Sequence, residues 1–277
     1  MNDTRFIELS ARDRARGLLD AGTFRELLGP FDYVMSPWLE PQGIIPQADD
    51  GMVVAKGTLS GKPAVVIAIE GTFQGGSMGE VSGAKMAAAL ELAVEDNRNG
   101  IPTQAVLCLE TGGVRLQEAN LGLAAIADIH AAIVDLRRHV PVIGIIAGTV
   151  GCFGGMSIAA ALCSYLIVTR EARLGLNGPQ VIEQEAGIGE YDSRDRPFIW
   201  SLTGGEARFR NGFVDALVDD SLSAVKTATI ACIEKGRPGS LRCEQIDGYL
   251  SKLNAFDTRQ QADAKLTAEL FGKGDRS

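Results

Sequence analysis

Three glycine-rich stretches are the part of this chain best suited to chemistry: "EGTFQGGSMGE" (70–80), "ETGGVRLQE" (110–118) and "GTVGCFGGMS" (148–157). In the last two, a glycine pair (Gly112–Gly113 and Gly154–Gly155) stands just before helix-forming sequence. The first turn of a helix leaves backbone N–H groups unpaired and carries partial positive charge, so it attracts anions. Glycine adds close backbone approach and dihedral angles that other residues resist. Two such turns at the ends of neighbouring strands can aim two N–H groups at one oxygen atom. That is an oxyanion hole, suited to a thioester carbonyl that turns into an enolate. The plainer reading is that glycine is common wherever a strand must turn.

Side chains offer less. Cys152 and Ser157 lie within the third stretch, but the only histidines, His130 and His139, fall on a separate helical segment and at its end, so neither nucleophile has an evident base. Neither glycine pair is followed by Gly-Lys-Ser/Thr, and neither has GxGxxG spacing, which excludes the usual phosphate and dinucleotide loops. Arg115 and Glu118 read as a structural ion pair. The five cysteines (Cys108, Cys152, Cys163, Cys232, Cys243) form no CxxC pair and no metal-ligand spacing, so no metal is expected.

The elements that must position these turns alternate. "ARDRARGLLDAGTFRELLG" (11–29) has helical spacing and a glycine stop, followed by Pro37 and Pro41. "MVVAKGTLSGKPAVVIAIEG" (52–71) reads as a β-hairpin turning at Ser60–Gly61. Helical pattern over 82–99 leads to the strand "QAVLCLE" (104–110), and "LGLAAIADIHAAIVDLRR" (121–138) leads to "PVIGIIAG" (141–148). The run from Val140 to Thr169 carries no charge, but Pro141, Gly144, Gly148 and Gly151 break it into strand, loop, helix and strand rather than a membrane span. After Thr169, "EARLGLNGPQVIEQEAG" holds a short extended piece and a Gly-Pro turn into a helix. The class is therefore α/β with mostly parallel strands. The boundaries expected are a helical lead-in at 1–50, a core at 51–235 and a helical tail at 236–277.

Composition sets outer limits. The chain has 277 residues, 45% hydrophobic and 22% charged, as in ordinary globular proteins. Its net charge of -8 disfavours nucleic acid or an anionic membrane as the main partner. Charges run through the opening "MNDTRFIELSARDRARGLLD", unlike the apolar core of an export signal, so a cytoplasmic protein with reduced thiols is expected.

The blocks around the glycine turns carry a resemblance. "GTLSGKPAVVIAIEGTFQGGSMGEVSGAK", "ETGGVRLQEA" and "GTVGCFGGMSIAAALCSYLIVTREARLGLNGPQVIEQ" resemble, in order and spacing, successive blocks of the carboxyltransferase family of the crotonase-like superfamily. The resemblance spans roughly residues 5 to 235. Within that family, "FDYVMSPWLEPQGIIPQADDG" and "GIGEYDSRDRPFIWSLTGGEARF" are similar to the beta subunits of biotin-independent malonate decarboxylases. The four-cysteine zinc ribbon that opens many related acetyl-CoA carboxylase subunits is missing, since the first cysteine is Cys108.

The resemblance implies a crotonase-like fold of stacked ββα units with a helical C-terminal appendage. It implies a gamma subunit as partner, an alpha subunit that exchanges acyl groups, and an acyl-carrier subunit. The carrier's phosphopantetheine-type (phosphoribosyl-dephospho-CoA) arm would bring a malonyl thioester, with no cofactor bound to this chain directly. By position in the superfamily, the oxyanion donors would be backbone amides among Gly112, Gly113, Val114, Gly154 and Gly155. Gly75, Gly76, Cys152, Phe153, Gly178, Pro179 and Gln180 would contact substrate. Such a half-site needs a partner surface, expected on the apolar helical segments 82–95 and 121–136. Two alternatives stay open: a carboxyltransferase subunit of a biotin-dependent acyl-CoA carboxylase, and a non-catalytic scaffold for the gamma subunit.

Overall fold

The computed structural model describes residues 4–45, 50–257, 259–260 and 263–272; the end of the lead-in block, 46–49, lies outside them. Seven strands form one sheet in chain order: β1 (Arg25–Leu27), β2 (Met52–Leu59), β3 (Lys62–Ile69), β4 (Gln104–Cys108), β5 (Val142–Ile146), β6 (Tyr165–Thr169) and β7 (Ala216–Val218). The first three pair antiparallel, and β3 to β7 pair parallel. The β2–β3 hairpin turns on two residues, Ser60 and Gly61, with φ of 50° and 74°. That pair of positive angles matches the right-handed twist of the strands it joins.

Both faces of the sheet are covered, which explains the unbroken apolar runs of the strands. Side chains alternate along β3. Val65, Ile67 and Ile69 pack with Met86 and Leu90 of α2 (Glu80–Arg98), Ile129 and Ile133 of α3 (Asn120–Leu136), and Met156 of the later helix Gly155–Leu162. Ala64, Val66 and Ala68 face the other way, with Ala15 and Leu18 of α1 (Ala11–Leu18) and Val225 of the helix Leu222–Glu234. Each fully buried aliphatic side chain of this kind contributes about 1.5–3 kcal/mol, and Ile133→Ala would cost about 2–5 kcal/mol.

The stacked units are visible in the backbone. Each of β3 to β6 is followed by a very short second strand, reduced to isolated parallel bridges: Met78 with Val114, Thr111 with Cys152, and Cys152 with Leu174. A helix follows each: α2, α3, α4 (Gly155–Leu162) and α5 (Pro179–Ala186). These bridges stack where the glycine turns lie, so the fold itself lays the turns side by side. Then come α6 (Arg196–Thr203), α7 (Gly205–Arg210), α8 (Leu222–Glu234), α9 (Ile246–Asn254) and α10 (Ala264–Phe271). Tyr249 and Phe271 from the last two pack on Phe213, with ring centroids 5.8 and 5.2 Å away.

Two expectations are corrected. The helix expected over 11–29 ends at Leu18, and Arg25–Leu27 is an edge strand paired with Val54–Lys56. The cause is tertiary: the Asp20 carboxylate accepts hydrogen bonds from Ser60 N, Gly61 N and the Thr58 hydroxyl, tying the chain to the hairpin. The apolar faces of 82–95 and 121–136 are not free either, because α2 and α3 bury them against the sheet and each other. Leu92, Leu121 and Leu123 remain exposed on these helices, and the lead-in exposes Leu28, Phe31, Tyr33, Met35, Trp38 and Ile45.

Candidate active site

The second and third glycine turns touch. A side chain placed on Gly113 would bring its Cβ to 3.2 Å from Gly154 Cα, and one on Gly154 to 3.1 Å from Gly113 Cα. Both have positive φ, 104° and 61°, which L-residues rarely adopt. Glycine is therefore required twice over at this contact, for its dihedrals and for its missing side chain.

Most amides of these turns already have acceptors. Gly112 N donates to Gly75 O at 2.9 Å, Gly113 N to the Thr111 hydroxyl at 3.0 Å and Gly154 N to Leu176 O at 2.7 Å. Phe153 N donates to Thr111 O and Cys152 N to Arg173 O. Two amides stand apart: among the described residues, Val114 N and Gly155 N donate to no protein group. Each belongs to the residue just after the Gly113–Gly154 contact, and both residues are partly exposed. Gly155 is also the first residue of α4, so its N–H lies at the positive end of that helix.

The other expected residues hold this arrangement in different ways. Gly75 supplies the carbonyl that takes Gly112 N, and Gly76 packs so tightly on Glu110 O that a Cβ there would overlap it. Cys152 is fully buried and is the central residue of the stacked bridges; its thiol donates to Met156 O at 3.3 Å, and burial pushes its pKa far above the ordinary thiol value. It is therefore not a nucleophile in waiting. Phe153 is buried behind the loop. Gly178, Pro179 and Gln180 form the start of α5, Gly178 being its cap and Gln180 exposed. Ser157 donates to Gly154 O at 2.7 Å, and the His130 ring nitrogen Nε2 lies 2.8 Å from Gly155 O. Both side chains thus serve the loop's own backbone.

Two buried charge clusters brace the loops. Glu110, at the start of the second turn, pairs with the Arg14 guanidinium and accepts from Val150 N at 3.3 Å, and a Cβ on Gly148 would overlap its carboxylate. Arg115, wholly buried, donates to Asp50 at 2.6 Å and to Glu118 at 2.8 Å. Glu118 in turn accepts from Glu80 N at 2.6 Å. Burial raises the Asp50 carboxyl above its ordinary range; Arg115 pulls it back, and Glu118 adds to the rise. Among the described residues, no group of three or more His, Cys, Asp or Glu side chains is placed to hold a metal ion. Nor is any helix among them long and apolar enough to cross a membrane.

Sequence reasoning missed Arg173, Tyr191 and Arg208, which gather behind the third loop. Arg173 donates to Thr149 O at 2.7 Å and Val150 O at 3.0 Å, and Arg208 Nε donates to Leu174 O at 2.8 Å. The available signal was the block 187–209, which carries Tyr191 and Arg208 and has no counterpart in the glycine-turn chemistry.

Stacked ββα units whose turns meet over two free amides define a crotonase-like carboxyltransferase, the fold shared with the solved structures below. The chain belongs to the carboxyl transferase domain family, which it matches over residues 8–232. It is similar to a chain of the Pseudomonas malonate decarboxylase hetero-tetramer solved in complex with malonate, with 68% identity, 98% of each chain covered and a TM-score of 0.95. It is 42% identical over 245 residues to the malonyl-S-ACP:biotin-protein carboxyltransferase MADC of Malonomonas rubra, covering 85% of this chain and 77% of that one. Transcarboxylase 12S, solved with methylmalonyl-coenzyme A, is 30% identical with a TM-score of 0.68, across 79% of this chain and 40% of the other.

Proposed function

We propose that this chain is a malonate decarboxylase beta subunit. Paired with a gamma subunit, it decarboxylates a malonyl thioester carried on the prosthetic arm of an acyl-carrier subunit, leaving an acetyl thioester and carbon dioxide. One observation carries the chemistry: among the described residues, of the amides at 112–114 and 152–155, only Val114 N–H and Gly155 N–H lack a protein acceptor. The candidates from 112–114 and 154–155 thereby narrow to these two donors.

In the reaction, the bond between the carboxylate carbon and the α-carbon breaks, and its electron pair moves into the thioester as an enolate. Carbon dioxide leaves, and the α-carbon then takes a proton. Since carbon dioxide departs in place of a proton, no side-chain base is required to begin. What is required is stabilisation of the oxygen that becomes charged, and fixed N–H donors do this with no reorganisation as the charge forms. Gly75, Gly76, Cys152 and Phe153 act by holding the two loops in contact, and Gly178–Gln180 flank them at the start of α5.

A second reading has one specific support, the 42% identity to a biotin-protein carboxyltransferase, in which carboxyl would pass to biotin. The test is carbon dioxide release from malonyl thioester by this chain with its gamma partner, with and without a biotinylated acceptor. Release without biotin supports the decarboxylase. Turnover only with biotin, accompanied by carboxybiotin, overturns it in favour of the transferase. No turnover in either case leaves the scaffold.

A further inference from the structure

The two buried arginines of the described residues, Arg14 and Arg115, pair with carboxylates (Glu110; Asp50 and Glu118), as does the half-buried Arg242 with Asp215. Arg173 and Arg208 break that pattern. Among the described residues neither meets a carboxylate, although the chain as a whole is acidic by eight charges. Both bind backbone carbonyls and lie over aromatic rings, Arg173 at 4.7 Å from Trp200 and Arg208 at 5.4 Å from Phe213. Burial pushes both guanidiniums below their ordinary pKa, and the nearby Arg196 adds repulsion to Arg173. Between them sits Tyr191, only 8% exposed, whose hydroxyl has no hydrogen-bond partner among the described residues; Arg173 Nε is likewise buried without one there. Burial raises the Tyr191 hydroxyl's pKa, and both guanidiniums pull against that rise.

Arg173 and Arg208 are thus half-buried cations without a counter-charge among these residues, and beside them lie two buried polar atoms with unmade hydrogen bonds, the Tyr191 hydroxyl and Arg173 Nε. Unmade buried hydrogen bonds are costly, and their coincidence with unpaired cations points to a ligand. Two cations and a hydroxyl donor suit an anion. The planar fork of arginine suits a carboxylate in particular. The place also fits. Arg173 N–H groups cap the carbonyls of Thr149 and Val150 in the third glycine loop, and Arg208 holds Leu174, two residues from the carbonyl that takes Gly154 N. Arg208 opens on a cavity of about 350 Å³, walled by Ser157, Leu176, Phe213 and Tyr249.

We propose that Arg173, Tyr191 and Arg208 form a carboxylate-binding subsite that takes the free carboxylate of the malonyl group. This rests on the reaction proposed above. A carboxylate held by cations is bound and oriented in the ground state, whereas the neutral carbon dioxide formed from it is not. The subsite therefore acts on capture of the substrate and on release of the product; because the interaction fades as carbon dioxide forms, its loss raises KM and does not lower kcat.

The test uses the complex of this chain with its gamma subunit. Tyr191→Phe is the cleanest variant, because the hydroxyl it removes bonds to none of the described residues, so its loss breaks no hydrogen bond among them. Calorimetric titration with malonate and steady-state kinetics with malonyl thioester are expected to show weakening of about tenfold in both malonate affinity and KM. The kcat should not fall, and affinity for acetyl thioester, which lacks the carboxylate, should not change. Arg208→Gln should lose at least as much. Unchanged malonate affinity in both variants, or absence of malonate binding by the wild-type complex, overturns the subsite. An equal loss of acetyl thioester binding overturns it too, as a general distortion of the site. Malonate binding that follows these residues in a complex without decarboxylase activity would uphold the subsite and defeat the proposed reaction instead.

Discussion

Gly113→Ala puts the loop contact under direct strain. The residue sits at φ 104°, so the alanine is strained before any neighbour is met, at about 1–3 kcal/mol. Its Cβ would then lie 3.2 Å from Gly154 Cα and 3.3 Å from Phe153 O, both backbone atoms that cannot rotate away. Relief requires the two loops to part by a few tenths of an ångström, which separates Val114 N–H from Gly155 N–H. If one donor is lost to the oxyanion, kcat falls by about 10²–10³. The companion Gly22→Ala has a similar angle, φ 78°, with no atom within 4 Å of the new Cβ. It should cost about 1–2 kcal/mol of stability and nothing in rate. Both variants are assayed with the gamma subunit for carbon dioxide release, beside thermal denaturation to confirm folding. A folded Gly113→Ala complex with kcat within threefold of wild type would refute the reasoning.

Other outcomes follow from the buried groups. Cys152→Ala should keep turnover within a few-fold, checked by the same assay, and native alkylation at pH 8 should label Cys243 fast and the four buried thiols slowly; burial pushes Cys108 and Cys163 up to about 12. Glu110→Gln leaves the Arg14 cation buried without its counter-charge and should cost about 3–5 kcal/mol in denaturant unfolding. Asp50 has a folded pKa raised by burial, so its contribution favours folding below the unfolded pKa and is lost as pH rises through the folded value. Asp50→Asn should therefore weaken the fall in stability that accompanies rising pH, read from melting profiles across the acid to neutral range; an unchanged pH dependence would contradict this. Asp20, lowered by hydrogen bonds from Gly61 N, the Thr58 hydroxyl and Ser60 N, contributes in the opposite sense: its stabilisation is present above the unfolded pKa and lost as pH falls through the folded one, so Asp20→Asn should flatten the acid limb of a melting profile.

Much of this architecture was legible because its signals are local. The Ser60–Gly61 hairpin, the apolar strands 104–108 and 142–146, and the helices that follow the glycine pairs depend on dihedral preference and periodicity. What depends on distant partners was not legible. The helix at 11 stops at Leu18 because Asp20 is drawn to residues 58–61, and nothing near position 20 announces that. The glycine turns offered five candidate amides, at 112–114 and 154–155, without saying which of them stay free. Which N–H groups remain free is decided by Gly75 O, the Thr111 hydroxyl and Leu176 O, and only the fold brings these acceptors in. The same holds for Tyr191 and Arg208, whose significance lies in the partners they lack.

The central claim is that Val114 N–H and Gly155 N–H bind the developing enolate oxygen, and the most direct measurement removes one of these hydrogens alone. Incorporating the α-hydroxy analogue of valine at position 114 replaces that amide by an ester and keeps the side chain. This N–H meets no acceptor among the described residues, and the ester carbonyl of Gly113 still accepts from Met78 N, though more weakly. Folding and gamma-subunit binding should therefore be retained and are checked by thermal denaturation. The account predicts that kcat for malonyl thioester decarboxylation falls by about 10²–10³. A kcat within threefold of wild type in the folded complex would contradict it.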